Sequence, residues 1–342
     1  MKKTAILLMI VCLLTGCSVS DKLKESAKEK VKDVVDETDQ VETTSFGMLT
    51  GMSQKELLSL TKHYKLAVVK RSGMDADDVT KLHASVDKIY VKLNLTYVDK
   101  DNTTYKTYDQ TLAGDVKYVK MTRAWKKHIK ELVTKLKDMG YDGVYVKGLS
   151  FYNWKKTDKA YEWVTDLLTI INDAEMPVMT WRDQSYINRY LEDIDEQEQI
   201  AEEEADQTAD AEDESATEDT QGAESETQSE DSEDSSSSAD SGSSTGDTGE
   251  EEEEEEELPL ISAVQLTEAF TVFDWETHKT EKQDSQISKS YKEFMDSCSS
   301  HGIKVYVVEY TRNSDWKAVI KSYCKKRGFK YYFASVRDFS EE

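Results

Sequence analysis

The chain contains no CxxC pair, no glycine-rich phosphate loop and no nucleophile elbow, and its five histidines show no metal-ligand spacing. Thiolate zinc sites, nucleotide cradles and serine-hydrolase chemistry therefore have no sequence support, and no metal, cofactor or nucleic-acid partner is expected. It also lacks an apolar run long enough for a permanent membrane helix. The one candidate, Ala5 to Leu14, follows Lys2 and Lys3 and is far shorter than the roughly 20 residues a bilayer requires. It reads as a signal peptide. Basic residues are missing altogether from 192–257, a stretch that carries 31 Asp and Glu. The net charge of -25 therefore arises in that segment; without it, and without Lys2 and Lys3, 38 acids face 42 bases. The remainder is mildly basic.

What is present begins at Leu14-Thr15-Gly16-Cys17, which resembles the lipobox of bacterial lipoproteins. Small residues there admit a peptidase, and Cys17 would carry the lipid that holds the mature chain on the extracytoplasmic face of a membrane. Residues 18–44 are polar, with Val31, Val34, Val35 and Val41 too sparse for a core, and read as a stalk. The acidic stretch 192–257, with Ser235 to Ser238 and the run Glu250 to Glu257, cannot bury enough apolar surface to offset its ordering entropy. It reads as a disordered insertion, and a long surface loop is a cheap place for one.

About 230 residues remain, enough for one sizeable domain in two parts, 45–191 and 258–342. Eight short β-branched and aromatic runs recur: Leu66–Val69, Lys88–Val91, Val116–Val119, Gly143–Val146, Val178–Trp181, Ile261–Val264, Lys304–Val308 and Lys330–Phe333. Helical patterns lie between most of them: Asp77–Ser85, Ala124–Met139, Lys159–Ile171, Ser288–Ser300 and Asp315–Lys326. The alternation predicts an α/β fold, a (β/α)8 TIM barrel, with the acidic insertion leaving after the fifth strand and the site at the carboxyl-terminal face.

Four segments then carry a family resemblance. Met139 to Val146 resembles the fourth strand of glycoside hydrolase family 114, the endo-α-1,4-polygalactosaminidase-like barrels. Val119 to Trp125 is similar to the preceding strand, Ala263 to Ala269 to the sixth, and Gly302 to Tyr310 with Lys326 to Phe329 to the closing pair. The resemblance covers about residues 50–191 and 258–340 and implies hydrolysis of amino-sugar polymers. It also implies an acid at the end of the fourth strand and another three positions on, where this chain has Lys147 and Ser150. A glycosidase needs two carboxylates across the scissile bond, and a lysine opposes an oxocarbenium-like transition state.

The catalytic candidates are thus Glu268, where the resemblance expects a carboxylate, and Glu309 at the end of the seventh strand, with Asp183 and Asp274 in adjoining loops. Asp142, ahead of its strand, reads as a turn or cap residue. Lys70, Lys92, Lys120 and Lys147 each end one of the first four predicted strands. They suggest either ordinary ion pairs or a basic cup for an anionic glycan. Tyr152, Trp154, Trp181 and Trp275 follow strands in loops where rings either stack on sugars or pack onto the barrel. Cys298 and Cys324 fall on the last two long helices, as a disulfide or as buried thiols. Two functions stay open: an enzyme acting on an amino-sugar-containing or other surface polysaccharide, and an inactive barrel that binds an anionic glycan or another envelope component.

Overall fold

In the computed structural model, residues 43–71, 73–112, 115–214, 259–277 and 279–334 are described. The expected leader, Cys17 and most of the expected stalk lie outside them, as do residues 215–257 of the acidic stretch. The described part up to Tyr186 and from Pro259 onward forms one compact unit, and Ile187 to Leu258 belongs to a second.

The first unit is a near-closed barrel of parallel strands. Its first position is shared by β1 (Thr43–Thr44) and β2 (Gly47–Met48), both paired with β3 (His63–Val69). The order continues through β4 (Val86–Asn94), β8 (Gly143–Lys147), β9 (Val178–Trp181), β10 (Ala263–Thr267), β13 (Lys304–Glu309) and β14 (Lys330–Phe333). Phe46 brings the first position against the last two strands, its ring 4.7 Å from Tyr306 and 6.2 Å from Tyr332. Helices α1 (Gln54–Leu57), α2 (Ala76–Leu82), α3 (Arg123–Asp138), α4 (Ser150–Lys155), α5 (Asp158–Asn172), α6 (Gln184–Glu214), α7 (Ser285–Ser300) and α8 (Ser314–Arg327) complete the connections. No helix among the described residues is long and apolar enough to cross a membrane.

Seven of the eight predicted strands are barrel strands. The exception is β7 (Val116–Val119), which pairs antiparallel with β5 (Tyr97–Asp99) and β6 (Thr107–Leu112) in a separate sheet. β4 therefore pairs directly with β8, Tyr90 opposite Gly143. A four-residue β-rich run looks the same in a hairpin as in a barrel, so periodicity alone does not separate them. The missing strand comes from Thr43–Met48, two residues of which the composition had assigned to the stalk. The two errors cancel, and Gly143–Lys147 is the fourth strand, as expected.

A second correction concerns the insertion. Helix α6 runs on to Glu214, past residue 192 where composition placed the onset of disorder. Its Glu, Gln and Ala residues are strong helix formers even without an apolar face.

The segment Met139 to Val146 shows how the barrel is indexed. Gly140 ends α3 at φ +91°, a left-handed conformation that glycine adopts without a Cβ penalty. The Asp142 carboxylate then accepts from the Ile89 amide at 2.6 Å, tying the amino end of β8 to β4. Asp142 is the structural residue its position suggested. A Cβ on Gly143 would lie 2.6 Å from the Tyr90 ring and 2.8 Å from the Pro177 carbonyl, so a side chain is excluded there.

Candidate active site at the barrel mouth

Three consecutive strand ends build the mouth. β8 ends at Lys147, and Gly148, at φ +113° and with room for no Cβ against Thr96 Oγ1, turns the chain into α4. β9 ends at Trp181 and is followed by Arg182 and Asp183. β10 ends at Thr267, followed by Glu268 at φ +57° and by the hairpin β11 (Thr271–Asp274) and β12 (Lys279–Lys282).

The Asp183 carboxyl is strongly perturbed. Burial pushes its carboxyl up to about 7, against the opposing pull of the Ser150 amide, the Lys147 charge, the Leu149 amide and Arg182. Tyr97, Tyr145 and Tyr118 are all raised, mainly by burial, and each also lies in the field of Asp183. The Tyr145 hydroxyl donates to Gln265 Oε1 at 2.8 Å, and Tyr118 donates to Ser150 Oγ at 3.0 Å. Arg182 donates through Nη1 to the Thr267 carbonyl (3.0 Å) and to the Tyr291 hydroxyl (2.8 Å), locking the fifth strand end to the sixth. The Lys147 ammonium lies 5.0 Å from the Trp181 ring centroid.

Three buried polar atoms of this cluster find no hydrogen-bond partner: Trp181 Nε1, Gln265 Nε2 and Asp183 Oδ2. Two are donors and one an acceptor, and each costs about 1–3 kcal/mol if left unsatisfied. Trp181 and Gln265 are register neighbours across β9 and β10. Such a set suits hydroxyl or amine groups of a ligand, or water.

The sequence candidates divide accordingly. Glu268 is at the mouth, half-buried, with Oε1 accepting from the Phe273 amide at 3.0 Å. Glu309 is engaged in a structural turn. It is fully buried and accepts from the Phe270 amide (2.8 Å), the Thr271 amide (3.2 Å) and Thr271 Oγ1 (2.5 Å), pinning the turn into the hairpin. Its raised pKa, about 7, comes first from burial, which those bonds only partly offset. Exposed Asp274 caps its own turn through Thr277 and Glu276.

The lysines do not form one cup. Lys147 belongs to the mouth, Lys70 and Lys92 line a separate cleft, and Lys120 is exposed at the end of β7. The strand that Lys120 was taken to end is not in the barrel. Tyr152 packs against Tyr161 and Tyr186, with centroids at 5.6 and 6.1 Å, and so joins α4 to the helices. Trp154 stacks on Tyr118, with Lys155 3.7 Å from its centroid, and Trp275 packs on Phe273 and Tyr310. Of the predicted aromatic loop residues, Trp181 alone combines the mouth position with a buried, unpaired polar atom. Arg182, Tyr145, Gln265 and Tyr97 were not foreseen; the only available signal was the polar pair Arg182-Asp183 directly after a strand.

Cys298 and Cys324 are buried free thiols, both raised to about 12 chiefly by burial. Among the described residues no group of three or more His, Cys, Asp or Glu gathers as metal ligands.

No protein-family profile and no curated protein matches the chain. Solved structures do. The glycoside hydrolase domain of PelA from Pseudomonas aeruginosa superposes with a TM-score of 0.54 at 10% identity, covering 87% of this chain and 96% of that one. A single-substitution variant of that domain gives 0.53 at 10% identity with the same coverage. Ega3 from Aspergillus fumigatus, in complex with galactosamine, gives 0.48 at 8% identity, over 87% and 92%. The chain shares the TIM-barrel fold of the PelA glycoside hydrolase domain.

Proposed function

We propose that this chain is a lipid-anchored, extracytoplasmic glycoside-hydrolase-like barrel that holds a surface polysaccharide, amino-sugar polymers among them, at its carboxyl-terminal mouth. The observation that carries the reading is the set of buried, unpaired atoms Trp181 Nε1, Gln265 Nε2 and Asp183 Oδ2, the first two on register neighbours and the third two residues beyond Trp181. Sugars present a ring face to an aromatic and a fan of hydroxyls to polar atoms, which is what Trp181 and its neighbours offer. The fold shared with PelA is consistent with it. The anchor rests on the lipobox at Cys17. It is tested by metabolic labelling with a fatty acid: loss of label and release from the membrane in Cys17→Ala supports it, and unchanged attachment refutes it.

Binding is favoured over turnover because Lys147 ends the fourth strand. Its positive charge beside Trp181 and Asp183 opposes the charge that develops during glycoside cleavage. Hydrolysis is the second reading, and one relationship favours it. Asp183 and Glu268 follow neighbouring strands joined by Arg182, and Asp183, raised to about 7, has the pKa of a proton donor, as one member of a glycosidase pair requires. The deciding experiment incubates the protein with galactosamine-containing and wall-derived polysaccharides and measures both binding and release of reducing ends. Binding without release, lost in Trp181→Ala, supports the first reading. Release abolished by Glu268→Gln and by Asp183→Asn establishes the second, and neither binding nor release overturns both.

A further inference from the structure

The end of the barrel where its parallel strands begin, opposite the mouth, carries one unbalanced patch. A groove of about 250 Å³ runs between the first residues of β13 and β14 and the end of α8, and among the described residues no acid lines it. Lys304 opens β13, Lys330 opens β14, and Lys325, Lys326 and Arg327 form the last turn of α8. Arg327 is held by Asp296, Nε to Oδ1 at 2.7 Å. The four lysines are exposed, and they form no ion pair among the described residues. Elsewhere at this end charged groups meet in pairs, His63 with Asp87 and Lys137 with Glu175.

The chain enters the barrel at the same end and beside the same strands. β1 begins at Thr43, in parallel register with His63 at the start of β3, so its first residue lies level with the strand starts. Phe46, two residues past β1, packs on Tyr306 of β13 and Tyr332 of β14. Residues 18–42 separate Thr43 from Cys17, a length that reaches roughly 90 Å at most.

We propose that this patch docks on a bilayer of anionic phospholipid, so that the barrel rests on the end where its strands begin and turns its mouth away from the membrane. The inference rests on the lipid-anchor reading, because an anchored barrel meets the bilayer at a high local concentration, where a few weak contacts suffice. Anionic headgroups form a negative plane whose field fades within roughly 10 Å at moderate salt. Exposed lysines at this end, and not the net charge of -25, therefore decide which face is drawn to it. Lysine suits the task, since a compact charge on a flexible stem reaches headgroups without the fixed geometry a guanidinium prefers.

The test keeps the chain whole. Lipidated protein is inserted from dilute detergent into preformed vesicles, either of phosphatidylcholine alone or of phosphatidylcholine and phosphatidylglycerol in equal parts. Exposed lysines are then modified with a water-soluble N-hydroxysuccinimide ester, and mass spectrometry reads the rate at each site. Lys159, exposed in the first turn of α5 at the mouth end, is the internal reference. Lys304, Lys326 and Lys330 are expected to react about fivefold or more slowly on phosphatidylglycerol and to recover at high salt, while Lys159 keeps its rate.

Equal rates on the two kinds of vesicle, or an equal slowing of Lys159, overturns the proposal. Protection by inorganic polyphosphate without vesicles, as strong as that on phosphatidylglycerol, overturns it too, since the patch then takes soluble polyanions. In Lys304→Glu/Lys330→Glu the protection of Lys326 is expected to be lost, and protection that survives overturns the patch as its source. The wild-type comparison stands even where this variant does not fold. Failure of the anchor shows separately, as protein that does not float with the phosphatidylcholine vesicles.

Discussion

The Lys147 ammonium stands 5.0 Å from the centre of the Trp181 ring, bridging the ends of the fourth and fifth barrel strands. A contact of this kind contributes about 0.5–2 kcal/mol depending on desolvation. Its larger effect is on chemistry, because it puts a fixed positive charge beside Asp183 where the family resemblance implies a carboxylate. Trp181→Ala is expected to weaken glycan binding about tenfold or more and to shift the melting temperature only slightly. Titration calorimetry and thermal unfolding of the same samples check both parts.

Lys147→Asp replaces that charge with a carboxylate at the strand end. If hydrolysis was lost through this position, the variant gains measurable release of reducing ends over wild type. If the fold has moved away from catalysis elsewhere as well, binding changes and release stays at background.

Glu309→Gln is expected to destabilise the barrel by about 1–3 kcal/mol, because its amide nitrogen would face backbone N–H donors at Phe270 or Thr271. Urea denaturation of a soluble form that retains Thr43 reads this out. Glycan binding at saturating ligand should survive, which separates the structural role from a catalytic one.

Asp183 and Glu309 also make stability depend on pH. Both have folded pKa values near 7, raised by burial from ordinary values of 3.8 and 4.5. The folded state therefore holds protons that the unfolded chain has already released. Their contribution is fully present below about pH 4 and is lost progressively as pH rises to about 7. Melting temperature is expected to decline over that window, with a shallower slope in Asp183→Asn and in Glu309→Gln. An identical slope in both variants refutes the assignment.

Gly143→Ala is expected to cost about 1–3 kcal/mol or to abolish folding, since the new methyl meets the Tyr90 ring at 2.6 Å and the Pro177 carbonyl at 2.8 Å. The ring can turn but the carbonyl cannot withdraw without separating β8 from β9, where Val144 donates to Pro177. Soluble yield and chemical denaturation measure the effect.

Much of this molecule is written locally. The lipobox-like Leu14 to Cys17, the missing basic residues of 192–257 and the alternation of β-branched runs with helical ones depend on neighbours in sequence, and seven of the eight predicted strands pair as barrel strands. Asp142 could be assigned to a cap because it precedes a strand. The limits were local as well: Val116–Val119 has the pattern of a barrel strand, and only its antiparallel partners at β5 and β6 show otherwise.

The site belongs to the other kind of information. That Glu309 is consumed by the turn at Phe270–Thr271, that Asp183 is stripped of water beside Lys147, and that Lys70 and Lys92 part company from Lys147 follow from which strand ends converge. A carboxylate's role depends on its solvation and on donors more than 30 residues away, which composition and spacing do not encode. Sequence determined the elements and the face on which a site would lie; tertiary structure decided which charged groups gather at the mouth and which hold the turns of the fold.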